Sequence, residues 1–102
     1  MGLLNRRTAT DSSEKVEKEM TILNRLGLHA RPAAMFVRVA SKHRCDIWVA
    51  KEGEEISGKS IMGLMMLAAG QGSILRVRAE GPDAAEAIQE IEHLIQARFN
   101  ED

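Results

Sequence analysis

The sequence holds a single cysteine, Cys45, no tyrosine and only 3% aromatic residues. One cysteine excludes an internal disulfide and any CxxC or multi-cysteine zinc site. So few aromatics weigh against nucleic-acid modules that stack bases on aromatic platforms. Neither sign of charge dominates: 14 Lys and Arg stand against 15 Asp and Glu, for a net charge of −1. That balance argues against a protein working mainly as a polyanion binder. No apolar run approaches the length of a membrane span. No P-loop and no metal-ligand constellation occurs, so neither a cofactor nor a metal is expected. The opening stretch MGLLNRRTATDSSEK lacks an apolar run after its arginines and is not expected to be a secretory signal. What remains is 102 residues, 44% of them hydrophobic. That is enough for one packed domain and too little for two. A single cytoplasmic domain without membrane insertion is the starting expectation.

Residues 1–15 are polar and follow neither a two-residue nor a 3.6-residue apolar period, so they read as a flexible extension. Residues 16–23 alternate, with Val16, Lys18, Met20 and Ile22 on one face of a strand. Residues 30–42 read as a helix: Ala33, Phe36, Val37 and Ala40 fall on one side, and Pro32 sits in the first turn. A strand follows over 45–51, with Ile47 and Val49 inward and Asp46 and Trp48 outward. Lys51-Glu52-Gly53-Glu54 reads as a hairpin turn into a short strand ending at Ser57. Ser60 opens a short helix, IMGLMMLA. A fourth strand, Ile74–Glu80, points Leu75, Val77 and Ala79 inward. Asp83 and Glu86 have capping-box spacing before a last helix running to about Phe99. Residues 100–102 read as a frayed tail. The order β-α-β-β-α-β-α, with one apolar stripe per helix, predicts an α+β two-layer sandwich whose second sheet face is open to water.

Two stretches carry chemistry. In GLHARPA, His29 lies where a glycine-containing loop meets a helix N-terminus. Backbone N–H groups of Ala30 and Arg31 are free there to bind an anion. The Arg31 guanidinium adds a donor fork suited to phosphate oxygens. Imidazole is a nucleophile near neutral pH. The local chemistry leaves two readings of His29: a phosphorylatable histidine, or a polar residue capping a helix start. No carboxylate is near it in sequence. In GKSIMGLMM, Ser60 occupies an N-cap position, and a phosphate there is compatible with the positive helix end. Ile61, Met62, Met65 and Met66 cannot all face inward on one helix, so part of the set forms an exposed, adaptable contact patch. Among the other polar candidates, His43 reads as a favourable charge at a helix C-terminus and His93 as surface. Cys45 reads as a reduced packing residue, and Trp48 as partial cover of the open face.

Taken together, the chain resembles the HPr family, the histidine phosphocarriers of the bacterial phosphoenolpyruvate-dependent phosphotransferase system, including the nitrogen-branch paralogue NPr. GLHARPA resembles the family's active-site motif and GKSIMGLM its regulatory-serine motif, with the family's spacing of 31 residues from His29 to Ser60. The resemblance covers residues 16–99. It implies an open-faced β-sandwich, four antiparallel strands covered on one face by three helices. It implies that His29 takes a phosphoryl group on Nδ1 from phospho-enzyme I and passes it to a IIA protein or domain, with Arg31 orienting the group. It further implies Ser60 as the target of HPr kinase/phosphorylase, and Ile61, Met62 and Met65 as docking surface. A monomer that is a covalent intermediate rather than an enzyme is the expectation. Leu26 departs from the pattern, because many sugar-branch members carry a small polar residue there and NRLGLHARPA is closer to the NPr style. The alternatives are a small phosphatase-like enzyme using His29 and Arg31, and a regulatory or interaction domain of the same fold without relay activity.

Overall fold

A computed structural model of the protein describes residues 14–101. Four strands and three helices follow one another as β1 (Lys15–Thr21), α1 (Ala30–Ser41), β2 (Asp46–Lys51), β3 (Glu54–Ser57), α2 (Ile61–Met66), β4 (Ile74–Glu80) and α3 (Ala84–Gln96). A 3-10 turn, Arg98–Asn100, closes the described chain. The strands form one antiparallel sheet in the order β1-β4-β2-β3. The expected extension over 1–15 falls largely outside the described residues. Lys15 is already part of β1, where it pairs with Glu80.

Strand alternation decides which side chains meet the helices. Met20, Ile47, Val49, Leu75, Val77 and Ala79 are buried on one face, together with Phe36 and Ala40 of α1 and Ile88, Ile91 and Ile95 of α3. The register sets Met20 opposite Leu75 and Val49 opposite Val77, so apolar rows continue across the sheet. The other face carries charge. Arg76 pairs with Glu17 at 3.4 Å and Glu19 at 3.3 Å, and Arg78 with Glu55 and Glu80, each at 3.1 Å. The Arg78 guanidinium also lies 5.6 Å from the centre of the Trp48 ring, a cation–π contact that accounts for a half-buried tryptophan on the open face. The β2–β3 hairpin turns through Glu52 and Gly53, both left-handed, as a two-residue turn of matching twist requires.

Three local expectations are corrected. Asp83 is the N-cap residue of α3, but its side chain makes no capping hydrogen bond there. Its carboxylate instead accepts the N–H groups of Arg44 and Cys45, each at 3.0 Å, pinning the α1–β2 connection. Tertiary donors outcompete the local cap. His43 is more than a charge at the end of α1: its ring bridges Asp83 at 3.2 Å and Glu90 at 2.7 Å. The last helix stops at Gln96. Arg98, Phe99 and Asn100 take left-handed φ of 57°, 53° and 60°, and this turn drives Phe99 fully into the core.

Candidate functional site

His29 is the N-cap residue of α1, but its side chain makes no capping hydrogen bond. Its carbonyl accepts from Ala33 N–H at 3.0 Å, which starts the helix. Pro32 has no N–H, so Ala30 and Arg31 supply the free donors of the first turn. Both residues are exposed, and neither N–H has an internal acceptor among the described residues. This is the anion-binding geometry of a helix N-terminus, with the guanidinium of Arg31 on the same turn.

The loop before the helix is held from behind. Leu28 N–H donates to Ala69 O at 2.9 Å. Gly27 has φ +72°, and a Cβ there would lie 2.5 Å from Ala69 O and 2.8 Å from Gly70 Cα. Only glycine fits, both for its backbone conformation and for its approach to the segment after α2. The loop bearing His29 is therefore fastened to the segment that follows the methionine-rich helix.

Chain folding brings a carboxylate to the histidine from 72 positions away. Glu101 Oε1 lies 2.9 Å from His29 Nε2. The same oxygen accepts from Asn24 Nδ2 at 2.9 Å, and that amide also donates to Gly27 O at 2.8 Å. Asn24 is fully buried, and its Oδ1 has no partner. Flipping the amide would set Oδ1 against two acceptors, so the orphaned oxygen is the lesser cost. Hydrogen bonds from His29 first, and from Asn24 second, hold the Glu101 carboxyl below the usual carboxylate range. The tail expected at 100–102 is thus corrected at Glu101. Neither Asn24 nor Glu101 was legible as a site residue: a lone Asn in a loop and a Glu near the chain's end carry no local signal.

Ser60 caps α2: its Oγ accepts from Gly63 N–H at 2.9 Å. Ile61, Met62, Met65 and Met66 are exposed and together line one apolar surface, while Gly63 and Leu64 take the buried side. Met66 belongs to this patch as fully as the three residues expected in it. Leu26 is exposed as well, at 66%. His93 is exposed and Cys45 buried, each as expected. Burial, with help from Asp83, pushes the Cys45 thiol up to about 11, so it is not a reactive thiolate. Among the described residues there is no group of side chains that could hold a metal ion, and no helix is long and apolar enough to cross a membrane.

An open-faced antiparallel sheet under three helices, with a histidine and an arginine at an exposed helix start, is the arrangement of a small anion-handling protein. Known proteins make the assignment specific. The family described as PTS HPr component, phosphorylation site, matches residues 16–97. A phosphocarrier protein HPr of Pseudomonas aeruginosa is 49% identical over 84 residues, covering 81% of this chain and 93% of its own. One from Xylella fastidiosa is 46% identical over 87 residues, covering 85% and 98%. The solved structure of HPr-C-His from Thermoanaerobacter tengcongensis superposes with a TM-score of 0.82 at 46% identity, covering 85% of this chain and 98% of that one. The chain belongs to the HPr family of phosphocarriers of the phosphotransferase system.

Proposed function

We propose that His29 is the phosphoryl carrier: Nδ1 takes the group from phospho-enzyme I and yields it to a histidine of a IIA protein or domain. The observation that carries this reading is the state of the His29 ring. Its Nε2 is engaged by Glu101, while Nδ1 has no hydrogen-bond partner among the described residues. The side chain is 37% exposed, beside two free N–H groups and Arg31. Phosphoryl transfer depends on positioning and charge neutralisation more than on covalent assistance. The helix donors of Ala30 and Arg31, with the Arg31 guanidinium, would hold the group's oxygens while a partner docks. Ile61, Met62 and Met65 would form the docking surface, a flexible apolar patch able to repack against several partners in small transient interfaces. Ser60 would be a regulatory phosphorylation site for HPr kinase/phosphorylase; among the relatives is an HPr-like protein Crh of Halalkalibacterium halodurans, 45% identical over 74 residues. Phosphate at Ser60 would add charge beside that patch. The protein would act in the cytoplasm as a stoichiometric intermediate rather than a catalyst with a bound substrate.

The test is intact mass after mixing the chain with enzyme I and phosphoenolpyruvate. The wild type is expected to gain one acid-labile phosphoryl group and His29→Ala none. No uptake by the wild type from enzyme I of either the sugar or the nitrogen branch would refute the reading.

A further inference from the structure

We infer that Glu101, held in place by buried Asn24, is a positioning residue that fixes the proton of His29 on Nε2 and so leaves Nδ1 as the attacking nitrogen. The inference rests on His29 being the phosphoryl carrier. A neutral imidazole has one N–H and one lone pair, and the hydrogen bond made by one nitrogen decides the role of the other. A carboxylate only accepts, so Nε2, 2.9 Å from Glu101 Oε1, must be the donor. Nδ1 then carries the lone pair. The carboxylate is itself constrained, because Asn24 is fully buried and donates to the same oxygen and to Gly27 O. The ring is thereby tied through Glu101 and Asn24 to the loop that carries it.

The arrangement also suits release. On uptake, the Nδ1 lone pair forms the new N–P bond as the donor's N–P bond breaks, and the donor imidazole departs with that bonding pair. The His29 ring becomes a phosphoimidazolium, keeps its proton on Nε2, and faces the carboxylate as counter-charge. On onward transfer the N–P pair returns to Nδ1 and the ring leaves as neutral imidazole. No separate proton transfer is required in either direction. Without Glu101 the proton can move to Nδ1, and that fraction of the protein cannot attack.

The experiment uses the full chain. Nitrogen-15 spectra of the histidine rings, recorded where His29 is neutral, are expected to show the wild-type proton on Nε2. Glu101→Ala is expected to shift the tautomer ratio toward Nδ1–H and to slow phosphoryl uptake about tenfold, roughly threefold from the lost Nε2–H fraction and roughly threefold from the lost carboxylate charge. Glu101→Gln keeps an acceptor oxygen for Nε2–H; it should retain the tautomer and stay within about threefold of wild type, since only the charge contribution is lost. Amide spectra of each variant away from the site should be unchanged, which separates positioning from unfolding. A wild-type ring carrying Nδ1–H, or a Glu101→Ala variant with unchanged tautomer ratio and rate, overturns the inference. Failure of the wild type to accept phosphate sinks the carrier reading instead, and the nitrogen spectra, which need no enzyme I, still decide the hydrogen bond.

Discussion

Replacing Phe99 by alanine tests how the end of the chain is seated. Phe99 is fully buried, although it lies beyond the last helix, in a turn where three consecutive residues have left-handed φ. Removing a buried phenylalanine costs about 3–5 kcal/mol, part lost transfer energy and part unfilled cavity. Taken at the lower limit of that range, the expected loss is about 3 kcal/mol, out of a typical total of 5–15. At this chain size that lowers Tm by about 12 °C or more. Urea unfolding followed by far-UV circular dichroism measures it, with Phe99→Leu as an intermediate that should lose roughly half as much. The variant should also lose the His29–Glu101 contact, because Glu101 is two residues further along the same turn. A loss below about 1 kcal/mol, within the range of ordinary surface substitutions and their near neighbours, would refute the claim that this turn is packed into the core.

Three further outcomes follow from named contacts. Gly27→Ala should destabilise by about 2–3 kcal/mol, combining a left-handed φ with a Cβ forced onto Ala69 O, and should slow phosphoryl uptake; urea unfolding showing under 1 kcal/mol would refute the close approach. Ser60→Ala should cost about 1 kcal/mol by thermal unfolding through loss of the α2 cap, whereas Ser60→Asp, which can cap, should cost less and still impair acceptance from enzyme I. Asp83→Asn should flatten the acid limb of stability. Burial works to raise the Asp83 carboxyl, but the N–H of Arg44, the thiol and N–H of Cys45, and His43 outweigh it and hold it well below its ordinary range. A lowered value in the folded state means stability present above the unfolded carboxyl range, about pH 4, and lost as pH falls below it. Glu90 and Glu101 are lowered too and drain in the same direction. The difference between wild-type and Asp83→Asn unfolding curves from pH 5 to pH 2 isolates Asp83, and parallel curves would count against its role.

The fold was legible because its signals are local and agree with one another. Alternation placed β4 over Ile74–Glu80 and the helical stripe placed α1 within a residue of its observed end. Turn residues located the β2–β3 hairpin. Errors cluster where a distant partner overrides a local preference. The capping-box spacing at Asp83 was present, yet two backbone donors at the start of β2 captured the carboxylate. The apolar periodicity of α3 runs on to Phe99, and that residue is indeed buried, but by a reversed turn rather than by helix continuation. A hydrophobic pattern reports that a side chain is inside, not which backbone conformation takes it there.

The site divides along the same line. His29, Ala30 and Arg31 are adjacent in the chain, and the chemistry of a helix start can be read from that adjacency. The rest of the constellation is assembled by topology. The loop after β1 supplies Asn24 and Gly27, the segment after α2 supplies the carbonyl of Ala69, and the turn after α3 supplies Glu101. These three segments meet because β1 and β4 are sheet neighbours and α3 lies over both, so the end of α3 arrives beside the end of β1. A histidine on a helix N-terminus alone would bind an anion with either ring nitrogen free to hold the proton. The carboxylate brought in after the turn that follows α3 engages one ring nitrogen and leaves the other without a partner among the described residues, and under the proposed function that difference would set which atom accepts and releases the phosphoryl group.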